Sequence, residues 1–170
     1  MSAHPLEGLA EPLPRYLPTY VDQDGGAARE ASRFPLRLMT APSMHGLNST
    51  FLQERDDLRA RAGAMALQMS PFDAAARGLS DGEVVEAWND LGQVAFVLQI
   101  RPGVPQGVVV APGVRKLEDA RGRRNVNALT KQRLTDEGAG STFYDNAVEV
   151  RRAASAAGRA AAADKRLEIV

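Results

Sequence analysis

The sequence predicts a mainly β domain in which six short strands close into a barrel, with small helices between them. Gln93 to Ile100 alternates cleanly, placing Val94, Phe96, Leu98 and Ile100 on one face, which is the period of a strand. The other apolar runs are short and bounded by Gly, Pro, Asn and Asp. Small helices and long loops separate them, an arrangement that suits a closed barrel with crossing connections. Hydrophobic residues make up 44% of the chain and aromatics 5%, so the core is expected to be aliphatic. Periodicity does not reveal which strands pair.

Residues 1 to 33 read as a proline-rich linker, because Pro5, Pro12, Pro14 and Pro18 interrupt helix and strand and Asp24-Gly25-Gly26 is a turn signal. The barrel is expected over residues 34 to 151. Pro35 to Ala41 reads as a strand with Leu36 and Leu38 on one face. A polar loop follows, and Thr50 to Ala62 looks helical, with Thr50 and Gln53 spaced as a capping box. Ala64 to Met69 is the second strand. Ser70-Pro71-Phe72-Asp73 is a helix start, with Ser70 as the cap and Pro71 in the first turn, and Gly78 is the stop. Asp81-Gly82 turns the chain into a strand from Glu83 to Trp88, in which Val84 is expected to be mostly buried. Asn89-Asp90-Leu91-Gly92 is a hairpin turn into the alternating strand. Gly107 to Ala111 is a short buried strand, Ala128 to Leu134 a helical turn, and Ala147 to Val150 the last strand. Residues 152 to 170 form an alanine-rich, helix-prone tail with little apolar surface.

Composition excludes several classes. The 21 basic and 21 acidic residues balance, so no basic field exists to hold a nucleic acid. With no cysteine, the chain forms no disulfide, thiolate zinc site or cysteine-held iron–sulfur cluster. His4 and His45 are the only histidines, too few for a multi-histidine metal site. No apolar run is long enough to span a membrane, and the N-terminal residues lack the apolar centre of a signal peptide. A cytoplasmic protein is expected.

Five stretches occur in a telling order: His45-Gly46-Leu47-Asn48-Ser49-Thr50-Phe51 after a strand; Met69 to Gly78 running into Asp81-Gly82-Glu83-Val84-Val85; Asn89-Asp90-Leu91-Gly92; Gly107 to Gly113; and Asn127-Ala128-Leu129-Thr130 followed by Gly140 to Tyr144 and Val148-Glu149-Val150. Together they resemble the molybdopterin-dinucleotide-binding C-terminal domain of the dimethyl-sulfoxide-reductase and formate-dehydrogenase superfamily. The resemblance covers Pro35 to Val150. It implies an aspartate-decarboxylase-like double-psi β-barrel that binds molybdopterin guanine dinucleotide. It also implies that other domains or a catalytic subunit of a molybdopterin oxidoreductase hold the molybdenum or tungsten. The run Leu13 to Tyr20 is similar to the connection before this domain in long relatives, and a chain starting inside such a linker reads as a piece of a split enzyme or a separate subunit. No catalysis is expected from the chain alone. The bared interface makes a homodimer an expected outcome.

With that resemblance, the loop from Thr40 to Thr50 is the main contact candidate. Phosphates need backbone N–H groups, hydroxyls and helix starts. Ser43, Ser49 and Thr50 supply hydroxyls, Gly46 permits close approach, and Asn48 and His45 add polar groups. Without the resemblance, the same residues are ordinary turn formers. Asn127 and Thr130 form a second candidate pair, since an amide offers both donor and acceptor to a pterin edge. Asn127 also reads as the cap of a helix beginning at Ala128. Phe143 and Tyr144 come third, Tyr144 standing where relatives commonly have lysine. Arg121 to Arg124 is a basic knot that reads as a solvated loop or as an aid to an anionic ligand.

Two other double-psi barrels compete. A self-processing decarboxylase needs an early Gly-Ser, whereas Gly140-Ser141 lies late in the chain. A protein-partner-binding barrel without cofactor predicts no affinity for pterin.

Overall fold

The computed structural model describes residues 33–46, 55–132, 134, 139–141, 143–144 and 146–154. Six strands close into a barrel in the order β1-β5-β2-β4-β3-β6: β1 (Leu36–Ala41), β2 (Ala66–Met69), β3 (Val84–Asn89), β4 (Gly92–Ile100), β5 (Val108–Pro112) and β6 (Asn146–Arg152). Two helices accompany them, α1 (Asp56–Ala62) and α2 (Pro71–Ala76), with 3-10 turns at Arg121–Arg123 and Val126–Leu129. The chain has the expected double-psi barrel architecture. Two parallel pairs, β1 with β5 and β2 with β4, are set among antiparallel ones. A parallel neighbour cannot follow by a tight hairpin, so the chain must cross between these pairs.

Strand alternation drives the closure. Leu36, Leu38, Leu67, Met69, Val94, Phe96, Leu98, Val109, Val148 and Val150 all point inward and are buried. Ile100 packs against this core only in part. In β3 the inward residues are Val85 and Ala87, while Val84 is half-buried. The expectation for Val84 was therefore one residue out of phase, which in a period-two strand exchanges the faces.

Local signals account for α2. The Ser70 hydroxyl accepts from the Asp73 N–H at 3.1 Å and donates to the Asp73 carboxylate at 2.7 Å. Pro71 opens the helix, and Gly78 takes a left-handed φ of 61° just beyond it. The Asp73 carboxylate also accepts from the Gly107 N–H at 2.9 Å and so ties the helix to the start of β5. Arg77 joins the same end of the barrel to β6 through Glu149, at 2.5 Å.

Three expectations change. Helix α1 opens at Asp56 with Arg55 in the N-cap position, and the expected capping box of Thr50 and Gln53 lies outside the described residues. The helical turn expected over Ala128 to Leu134 is a 3-10 turn over Val126–Leu129, and Leu134 instead bridges to Ser141. Its cap is Asn125, whose side chain accepts from the Asn127 N–H; Asn127 caps nothing there.

Candidate functional site

The register decides which loops share an end. Ala41 lies beside Pro112, Leu38 beside Asn146, Ala66 beside Val97, Trp88 beside Glu149 and Asn89 beside Gly92. The C-terminal ends of β1, β3 and β5 therefore meet the N-terminal ends of β2, β4 and β6. Connections 42–65, 90–91 and 113–145 all leave from that end. Ser43, His45, Gly46, Asn127, Thr130, Phe143 and Tyr144 lie in these connections. Asn48, Ser49 and Thr50 lie outside the described residues.

The loop after β1 is braced by β5. The Gly113 N–H donates to the Ala41 carbonyl at 2.7 Å. Gly113 has φ of 72°, and a Cβ there would stand 2.9 Å from the Ser43 Cβ, so only glycine leaves room for the loop. The Ser43 hydroxyl accepts from the His45 N–H at 3.2 Å, which turns the loop and leaves the His45 ring exposed.

Two buried asparagines organise the rest of this end. The Asn89 amide donates to the carbonyls of Leu129 at 2.8 Å and Ala147 at 3.3 Å, and its oxygen accepts from the Leu91 N–H at 3.0 Å. Asn146 donates to the Phe143 carbonyl at 2.6 Å and accepts from the Lys131 N–H at 3.1 Å. The segments around Asn127–Thr130 and Phe143–Tyr144 are thus fastened to the barrel through neighbouring residues. Asn127 itself is exposed, Thr130 half-buried, and the Phe143 and Tyr144 rings lie 4.4 Å apart and about half exposed. Sequence reading placed Asn89 in a turn and did not single out Asn146; a turn asparagine flanked by strands was the available signal.

A cavity of about 510 Å³ opens beneath the loop after β1. Ser43, Met44 and His45 of that loop line it, with Ala62 and Ala64, Gln68 of β2, Gln99 of β4 and Pro112 of β5. Arg101 and Arg115 also line it, and no carboxylate does among the described residues. The cavity runs along the side of the barrel, from Ala41 and Pro112 at that end to Gln99 and Arg101 at the C-terminal end of β4, and Asn127, Thr130, Phe143 and Tyr144 do not line it. Arg115 donates to the Ala62 and Gly63 carbonyls at 2.9 and 3.0 Å, a cation at the end of α1. Near the Val126–Leu129 turn, Arg121, Arg123 and Arg124 are exposed and have no acidic partner among the described residues. Arg123 holds a positive φ of 53°, unusual for a side-chain-bearing residue. Beside α1, a hydrogen bond from Arg55 holds the Asp57 carboxyl below its ordinary range, and the same bond raises the Arg55 guanidinium. Guanidiniums without an acidic partner among the described residues, together with loop hydroxyls and amides, fit an anionic, hydrogen-bonding ligand such as a dinucleotide. No group of three or more metal-ligating side chains that could hold a metal ion occurs among the described residues, nor any helix long and apolar enough to cross a membrane.

Comparison with known proteins agrees. Residues 36–148 match the family model described as the molydopterin dinucleotide binding domain. A probable oxidoreductase of Bacillus subtilis, YoaE, is 30% identical over 141 residues, covering 82% of this chain and 19% of that protein. The perchlorate reductase subunit alpha of Dechloromonas aromatica is 35% identical over 80 residues, 47% of this chain and 9% of its own. Dimethyl sulfoxide reductase DmsA of Escherichia coli is 27% identical over 153 residues, 87% of this chain and 18% of its own. The acetylene hydratase structure from Pelobacter acetylenicus superposes with a TM-score of 0.72 at 18% identity, covering 87% of this chain and 22% of that one, which establishes likeness of fold. The chain thus spans about a fifth or less of the length of these relatives. With the matched residues running from β1 into β6, the chain belongs to the molydopterin dinucleotide binding domain family.

Proposed function

We propose that this chain is the cofactor-binding domain or subunit of a larger molybdenum or tungsten oxidoreductase. In this reading it holds molybdopterin guanine dinucleotide at the barrel end that carries Ser43, His45, Gly46, Asn127, Thr130, Phe143 and Tyr144. One observation carries the reading: three candidate segments, far apart in sequence, leave from one end of the barrel, and arginines without an acidic partner among the described residues cluster there. At the opposite end, the Ser70, Asp73, Arg77 and Glu149 side chains are engaged with one another and with the backbone, which leaves them little to offer a ligand.

The dinucleotide supplies the pterin ligand of a redox metal. This chain's part is to bind and orient. The loop hydroxyls and N–H groups face its phosphates, Arg121, Arg123 and Arg124 offset its charge, and the Asn127 amide meets a ring edge. The half-exposed Phe143 and Tyr144 rings provide a flat apolar border. The relatives are several times longer, so partners are the remaining domains or a catalytic subunit of such an enzyme. The test is titration of the isotope-labelled chain with guanosine diphosphate while following backbone amide shifts. Shifts confined to residues 43–46, 125–131 and 143–144 support the reading. Shifts centred on Ser70 to Gly78, or none at all, reject it.

A further inference from the structure

Asn146 is buried at the start of β6, so its side chain is out of a ligand's reach. Its backbone pairs with Leu38 of β1, so the amide is carried on the barrel wall rather than on a loop. Both ends of that amide are nevertheless committed to the candidate ligand end. The Oδ1 accepts from the Lys131 N–H at 3.1 Å, and the Nδ2 donates to the Phe143 carbonyl at 2.6 Å. Lys131 directly follows Thr130, and Phe143 directly precedes Tyr144. One rigid plane therefore joins two candidate contact segments that are apart in sequence.

We propose that Asn146 is a positioning residue that couples the Asn127–Thr130 segment to the Phe143–Tyr144 segment, so that a ligand touching one orders the other. The inference rests on the dinucleotide reading and adds the linkage within that site. Burying an amide is costly unless its polar atoms are paired, and an apolar side chain of similar volume would fill the same place without that cost. The Val126–Leu129 turn already has its own anchor, the Asn89 amide on the Leu129 carbonyl. What the Asn146 amide adds is a link between Lys131 and Phe143. A donor and an acceptor fixed in one plane pass a displacement of either group to the other. Asn127 is exposed, Thr130 half-buried, and Phe143 and Tyr144 about half exposed. The contact side chains thus face solvent, while the group that joins them is enclosed. Coupling of this kind appears as non-additivity between substitutions in the two segments, whereas a residue that only stabilises the fold leaves their effects on binding independent.

The full chain is titrated with guanosine diphosphate, and affinity is read from backbone amide shifts. Asn127→Ala, Tyr144→Ala and the two together are compared, each with Asn146 present and in the Asn146→Leu background. With Asn146 present, the affinity of the double variant is expected to depart about threefold or more from the product of the two single effects. In the Asn146→Leu background it should match that product within about twofold, as for independent sites. The Asn146 side-chain amide signals should also move on titration, although the group touches no ligand. Should the leucine variant fail to fold, the cycle with Asn146 present and the movement of its amide signals decide together, both being required. Independent effects with Asn146 present overturn the inference. So does non-additivity that survives the leucine change, since the segments then communicate by another route. Either result leaves the proposed function standing where shifts appear at residues 125–131 and 143–144. No shift anywhere rejects both.

Discussion

The buried amide of Asn89, at the end of β3, donates to the carbonyl of Leu129 at 2.8 Å, joining a hairpin turn to a 3-10 turn forty residues further along the chain. This contact holds the Asn127–Thr130 segment over the barrel end. Asn146, only 2% exposed, does the matching work for Lys131 and Phe143.

Replacing Asn89 by Ala leaves the Leu129 carbonyl without its donor in a buried place. The expected loss is about 2–3 kcal/mol, the cost of orphaning a buried polar group together with its hydrogen bond. Urea denaturation measures it, and amide shifts should be largest in residues 125–131. A loss under about 0.5 kcal/mol, the range of an ordinary surface substitution, would mean that the amide does not hold this segment.

Gly113 separates a steric effect from a conformational one. Gly113→Ala meets both a φ of 72° and the Ser43 Cβ at 2.9 Å, whereas Gly78→Ala meets a φ of 61° and open space. Both should lose about 1–2 kcal/mol from left-handed strain. Only Gly113→Ala should displace the loop at residues 41–46 and weaken guanosine diphosphate binding. Equal ligand binding by the two variants would show that the loop position does not govern the site.

Phe96 is the aromatic member of the main core cluster and is 3% exposed. Phe96→Ala should cost about 3–5 kcal/mol through lost burial and the cavity left behind. The urea midpoint should fall accordingly, without movement of the ligand-induced shifts in the remaining folded protein. A stability change below about 1 kcal/mol would contradict the packing, since core truncations of this size rarely cost so little.

Much of the architecture was legible in local chemistry. The alternation of β4 gave its inward face, and Ser70-Pro71-Phe72-Asp73 announced α2 with its cap. The turn at Asn89 to Gly92 and the stop at Gly78 followed from residues that favour those conformations. Short irregular turns were less legible. The 3-10 turn at Val126–Leu129 has too few residues for a helical period to register, so its cap was misplaced from Asn125 to Asn127. Val84 was misassigned because three apolar residues in four along β3 leave the inward face ambiguous.

The sequence by itself determined the strands, the aliphatic core, the cysteine-free chemistry and, through ordered motifs, the family. Those properties are written in spacing and residue type, which act over a few residues. Only the tertiary structure decided the register that brings the ends of β1, β3 and β5 to the starts of β2, β4 and β6. It alone set Gln68 beside Gln99, buried Asn89 and Asn146 as ties between distant loops, and reserved Gly113 for the Ser43 turn. These relations depend on pairing between strands remote in sequence, and the periodicity of one strand carries no record of its neighbour.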